Sequence, residues 1–266
     1  MSETPIPQPG FGTSGHEGET CTESVVRALE AGYRHVDTAQ MYDNEAAVGA
    51  ALERSDVDRE DVFLATKVHP SNLAHDDVLE TTEESLERLG VDAVDLLYVH
   101  WPTDAYDPEE TLPAMDEVRD RGWARNVGVS NFTVELLEEA REILESPIAA
   151  NQVELHPFLQ QGDLVEYGQG HDVTTVAYCP IAKGNVAGDD TLEAIADAHD
   201  ATPVQVTLAW HYSHEGVVPI PKATGDHVEE NYAALDLALS DDELDRIAGL
   251  DRGERLVDPD AAAWNR

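Results

Sequence analysis

Asp37, Tyr42, Lys67 and His100 are the residue types of this chain best suited to handling a proton at a reacting oxygen. The chain has three lysines, Lys67, Lys183 and Lys222. Each ends or closely follows an apolar, strand-like run: DVFLATK, TTVAYCPIAK and GVVPIPK. In a repeated strand–helix fold, strand ends are where chemistry sits. A tyrosine is a poor acid near neutrality because its reference pKa is about 10. An ammonium beside the hydroxyl favours the phenolate and should lower that value. A carboxylate would hold the lysine in place and keep it charged, and a histidine would orient a carbonyl oxygen. Together they would make a general acid for an oxygen on which negative charge develops. A carbonyl reduced by hydride has that need.

Short apolar runs must position these groups. They occur at 33–38, 62–67, 94–100, 125–130, 149–155, 173–178 and 217–222, with a weaker one, LDLAL, at 235–239. Several are continuously apolar, as parallel strands buried on both faces are. Amphipathic helical patterns lie between them. Asn44 suits an N-cap before one such pattern, and Gly90 suits the C′ position after DDVLETTEESLERL. Two helices, around 191–199 and 203–213, fit between the last two strong strands. Eight strands alternating with helices predict a (β/α)8 TIM barrel as a single domain over 1–266, with an open doubly wound sheet as the alternative. A loop or hairpin is expected at about 5–18 and a tail at about 252–266.

Gly10, Gly12 and Gly15 match GxGxxG. A dinucleotide-binding turn of that type must follow a strand, whereas here Pro5, Pro7 and Pro9 precede it and Glu17 and Glu19 follow. A tight loop or hairpin is the better reading.

The formal net charge is −39, from 55 acidic residues against 16 Lys and Arg. Nucleic acid and anionic membranes, which need basic patches, are excluded as partners. The acids fall on helical patterns throughout the chain and read as solvated faces. Such a surface repels itself in dilute buffer, but at about 1 M salt the Debye length is only about 3 Å. A salt-rich cytoplasm is therefore expected, with a merely acidic protein as the plainer alternative. No run approaches the roughly 18 apolar residues of a membrane span, and no export signal is visible. Cys21 and Cys179 read as reduced thiols, consistent with a cytoplasmic location.

The segments VDTAQMYDNE, LATK, LLYVHWP, GVSNF, NQVELHP, AYCPIAKG and PIPKAT, followed by EEN, resemble in order and spacing the signature segments of the aldo-keto reductase superfamily. The similarity spans roughly residues 10–258. The resemblance implies that Asp37, Tyr42, Lys67 and His100 are the catalytic four, with Tyr42 as proton donor. It also implies a nicotinamide cofactor lying extended across the barrel mouth. Ser130, Asn131 and Gln152 would bond its carboxamide, and Tyr178 would stack on the ring. Pro180, Ile181, Lys183 and Gly184 would pass near the pyrophosphate. Lys222, Ala223, Thr224 and His227 would meet the 2′-phosphate, and Glu230 and Asn231 the adenine end. Ala223 and His227 depart from the family's more usual Ser and Arg, so NADPH is expected with NADH possible. The chain is most similar to compact microbial members of the diketogluconate and methylglyoxal reductase type, which act on small aldehydes, ketoaldehydes or keto sugars.

Trp101 and Trp264 could line an apolar substrate pocket or belong to the core; Trp123 and Trp210 read as core. His156 reads as structural. His211 and His214 lie three apart but lack a third ligand type nearby, so no metal is expected. Ser130 lacks a GxSxG elbow, which argues against a hydrolase. A small carbonyl compound is the expected partner. The oligomeric state stays open, with a monomer favoured. A cofactor-binding regulatory subunit is the rival reading, and a metal-dependent barrel hydrolase a third.

Overall fold

The computed structural model describes residues 5–265. Eight parallel strands stand in chain order: β1 Gly10–Gly12, β2 His35–Asp37, β3 Phe63–Val68, β4 Val94–Val99, β5 Ala124–Ser130, β6 Ile148–Glu154, β7 Thr174–Tyr178 and β8 Val217–Pro219. Each pairs with the next. The ring closes where the Gly12 N–H donates to the Pro221 carbonyl at 3.2 Å. The apolar runs are buried because the sheet has two covered faces. Phe63, Ala65, Leu96, Tyr98, Ala150, Val176, Val218 and Ile220 form one cluster. A larger cluster, including Val25, Leu29, Val36, Leu64, Leu97 and Val127, packs helix faces against the strands.

The helices are α1 Gly18–Ala31, α2 Glu45–Arg54, α3 His75–Leu89, α4 Pro108–Asp120, α5 Val134–Ile143, α6 Gly162–Gly170, α7 Asp190–His199, α8 Pro203–Tyr212, α9 His227–Tyr232 and α10 Asp241–Ala248. The expected helix pair between the last two strong strands is α7 and α8. In α3 the expected face, Val78, Thr82, Leu86 and Leu89, is buried, and Gly90 closes the helix at φ 68°. There a left-handed residue satisfies the last carbonyls.

Two expectations need correction. LDLAL is not a strand: it enters a 3-10 turn at Ala233–Asp236, and Leu237 and Leu239 pack outside the barrel against the cluster containing Leu192, Ile195 and Trp210. The eighth strand is instead β1, inside the segment expected to be a loop or hairpin. With only three residues, two of them glycine, it carries no apolar pattern to read. The glycines serve barrel closure. A Cβ on Gly10 would lie 2.5 Å from His35 Nδ1, and one on Gly12 would lie 2.7 Å from the Ile220 carbonyl oxygen.

Gly12→Val is expected to lower stability by about 1–3 kcal/mol through overpacking at the seam. Gly188→Ala, where an added Cβ meets nothing within 4 Å, should leave stability nearly unchanged. Urea denaturation of the two variants beside the parent checks this.

Candidate active site

Asp37 ends β2, Lys67 lies near the end of β3, and His100 directly follows β4. Tyr42 arrives on the 3-10 turn Gln40–Tyr42 that follows β2. The fold brings all four together. Lys67 Nζ donates to Asp37 Oδ1, to the Thr38 carbonyl at 2.8 Å and toward the Tyr42 hydroxyl at 3.5 Å. The other carboxylate oxygen of Asp37 accepts from Gln152 Nε2 at 2.8 Å. The His100 ring stands edge-on to the Tyr42 ring, with centroids 5.6 Å apart.

Burial dominates the electrostatics. It pushes the Lys67 ammonium toward neutrality, but Asp37 and Tyr42 outweigh it and leave the pKa raised. For Tyr42 burial raises the pKa, and the Lys67 charge offsets only part of that rise. The lowered tyrosine pKa expected from the ammonium alone is therefore reversed by desolvation. Burial, reinforced by the Lys67 charge, drops His100 well below its usual range, so its imidazole is neutral.

Two further side chains fix the Tyr42 turn. Gln40 accepts from the His69 N–H at 2.8 Å and donates to the Thr81 carbonyl at 3.0 Å. Asn44, expected as an N-cap, flanks α2 without capping it. Its side chain instead accepts from Thr38 Oγ at 2.7 Å and donates to the carbonyls of Thr13 and His16. A lone Asn before a helical pattern reads as a cap; only the folded chain shows the loop after β1 docking on the Asn44 side chain.

A cavity of about 680 Å³ runs over these groups. Asp37, Tyr42, His100 and Trp101 line one part, with Ser130, Asn131, Gln152 and Tyr178 also on its wall, and Pro180, Ile181, Lys183, Gly184 and Lys222 belong to the same lining. Ser130 Oγ donates to the Gln152 carbonyl at 2.8 Å, Asn131 Nδ2 to the His100 carbonyl at 3.1 Å, and the Tyr178 hydroxyl to Asn131 Oδ1 at 2.9 Å. Ala223, Thr224, His227, Glu230 and Asn231 are not part of this lining. Ala223 and Asn231 are buried, and the exposed His227 ring pairs with Glu230 at 2.6 Å. Trp264 also stands outside the cavity, its ring centroid 5.8 Å from that of Trp101.

His156 is wholly buried against Glu154 at 3.0 Å. His211 faces the Pro180 carbonyl and His214 the Trp210 carbonyl. Trp210 is buried core, whereas Trp123 is half-buried beneath the Arg121 guanidinium.

Residues 10–252 match the Aldo/keto reductase family. The chain is 41% identical over 266 residues to the methylglyoxal reductase DkgB of Salmonella typhi, covering 98% of this chain and 99% of that protein. Its fold is similar to the crystal structure of MGS-M4, an aldo-keto reductase from a Medee basin deep-sea metagenome library, with TM-score 0.90, 32% identity, and coverage of 96% and 94% of the two chains. It is also similar to a Bombyx mori aldo-keto reductase in complex with NADP, with TM-score 0.88, 30% identity, and coverage of 96% and 92%. The chain belongs to the aldo/keto reductase family. It is an oxidoreductase, and carbonyl reduction is its class of chemistry.

Replacing Lys67 by Met would leave the Asp37 carboxylate buried without its counter-charge; a loss of about 3–5 kcal/mol is expected on denaturant titration. A separate acid dependence should follow from His35, whose pKa burial lowers from 6.5 to about 4. Between those values the unfolded chain binds the extra proton, so stability falls as pH falls and the loss is complete below the lower one. For His35 alone that loss is on the order of 3 kcal/mol, to be read from urea midpoints across the range with His35→Gln as comparison.

Proposed function

We propose that the protein is an NADPH-dependent reductase of small aldehydes and ketones with Tyr42 as proton donor. The observation that carries this reading is the Tyr42 hydroxyl 3.5 Å from the buried Lys67 ammonium, on the wall of a cavity also lined by cations. The lining suits a phosphorylated dinucleotide. Amide and hydroxyl side chains of Ser130, Asn131 and Gln152 match a carboxamide, Tyr178 offers an aromatic face, and Lys183 and Lys222 offer positive charge to phosphates. Thr224, His227, Glu230 and Asn231, with Ala223, would meet the adenosine end by family resemblance. The departures at Ala223 and His227 leave NADH as a weaker substitute.

NADPH, when bound, supplies hydride to the carbonyl carbon. Burial keeps the Tyr42 phenol protonated until negative charge grows on the substrate oxygen, and the phenol then gives up its proton. The Lys67 ammonium stabilises the phenolate that remains, and Asp37 holds that ammonium in place. Neutral His100 donates a hydrogen bond that orients the carbonyl. Trp101 forms part of the substrate wall, and Trp264 backs it. The likeness to a methylglyoxal reductase supports small carbonyl substrates.

The charge of −39 supports work in a salt-rich cytoplasm. No helix among the described residues is long and apolar enough to cross a membrane.

NADPH oxidation in molar KCl with small aldehydes, ketoaldehydes and keto sugars tests the reading. Tyr42→Phe should lower kcat by about 10²–10⁴-fold while NADPH binding, followed by fluorescence, persists. Tight NADPH binding without turnover of any carbonyl would favour the regulatory-subunit reading. The thermal midpoint should rise between dilute buffer and 1 M KCl; an unchanged midpoint would contradict salt adaptation.

A further inference from the structure

One buried charge plays no part in the proposed chemistry. Glu154, at the end of β6, is fully buried. Three N–H groups meet its charge: His156 Nε2 at 3.0 Å and the Leu256 N–H at 2.7 Å reach Oε1, and the Val257 N–H at 2.9 Å reaches Oε2. Burial opposes that charge, but His156 and the two amides outweigh it and hold the carboxyl below its usual range. An ionised group taken out of water is costly unless its donors are well placed. The two amides give this carboxylate its purpose.

Residues 251–259 form neither helix nor strand, so their N–H groups have no ladder to enter and need other partners. The segment is a strap pinned at several points. Arg252 and Glu254 give their N–H groups to the Phe158 carbonyl. The Leu256 carbonyl accepts from Lys183 Nζ at 3.1 Å, and Glu154 takes the successive N–H groups of Leu256 and Val257. The side chain so placed is Val257, which lines the catalytic cavity. Asp258 follows and accepts from Trp264 Nε1 at 2.9 Å, and the Trp264 ring packs on Trp101, which lines the same cavity. Lys183 is exposed and, in the reading above, serves the cofactor's phosphates. The Glu154 clamp is the hold on this stretch for which the cofactor does not compete.

We propose that Glu154 is a positioning residue for the carbonyl substrate: its carboxylate clamps the N–H groups of Leu256 and Val257 and so sets the strap as one wall of the catalytic cavity. This rests on the reductase reading above. A carboxylate suits the task because it offers an acceptor to each N–H at once. Glutamine, its nearest isostere, has one oxygen, and its amide would turn a donor toward one of the two. The strap is held from β6, whereas Tyr42, Lys67 and His100 stand on β3 and on the segments after β2 and β4. Loosening it therefore weakens substrate binding and leaves the proton transfer in place.

The test is steady-state kinetics with NADPH and a series of small aldehydes in molar KCl, beside amide hydrogen exchange of the strap. Glu154→Gln should raise KM for the aldehyde about fivefold, as loss of one hydrogen bond does, with kcat and the NADPH dissociation constant near those of the parent. A merely structural loss would lower the folded fraction, and with it the apparent kcat, without moving KM. Val257→Ala keeps the clamped N–H and trims the wall from the strap side. It should also raise KM, and the two substitutions together should raise it by less than the product of their separate effects. In the parent, which requires no variant to fold, the Leu256 and Val257 amides should exchange slowly although they belong to no helix or strand. Glu154→Gln should release them while β6 stays protected. Rapid exchange of both amides in the parent, or an unchanged KM in folded Glu154→Gln, overturns the proposal and leaves the reductase reading standing. Absence of turnover of any aldehyde by the parent overturns both.

Discussion

The Lys67 charge sits in a place where no charge is stable alone. Its side chain is fully buried and that of Asp37 nearly so, so each ion depends on the other and on the polar groups around the pair. Thr38 gives its carbonyl to the ammonium, and Gln152 gives an amide to the carboxylate. These four residues come from β2, the segment just after it, β3 and β6, so the ion pair reads the register of almost half the barrel. A shift of one residue in any of these strands would turn the side chain to the opposite face. The chemistry and the fold are thus held by the same constraint.

That constraint explains which properties of the site are inherited from burial. The same desolvation that raises the Tyr42 pKa lowers that of His100. One low-dielectric environment keeps the phenol protonated and the imidazole neutral. The surface obeys the opposite rule. Carboxylates there stay in water, with few cations beside them, and their mutual repulsion is left to the solvent to screen. Interior and exterior of this barrel therefore answer to different variables: the inside to proton activity, the outside to ionic strength.

Much of this was legible in the sequence because burial writes itself into residue type. Seven strands appear as apolar runs, and Lys67, Asp37 and His100 fall at their ends by position alone. The tyrosine became assignable through the order of several motifs. What stayed hidden has a common physical character. β1 has no side-chain pattern because its glycines serve close backbone approach. Gln40 and Asn44 act through hydrogen bonds to backbone carbonyls and amides far along the chain, which no local spacing records. The Tyr42 pKa ran against expectation since the argument from a neighbouring ammonium omits the desolvation that only a fold can supply. LDLAL misled because apolar side chains on the outer layer imitate a strand.

The seam between Gly12 and Pro221 joins the first strand to the segment just beyond the last, about two hundred residues apart in a chain whose other strand pairs are neighbours in sequence. During synthesis β1 emerges early, yet its second edge stays open until the segment around Pro221 has also left the ribosome. Closure of the ring is thus a late, long-range event. Until then, the mouth that gathers β2, β3, β4 and β6 has an unsealed wall. The finished cavity, with Gly12 and Ile220 in its lining, therefore needs both ends of the strand ring in place.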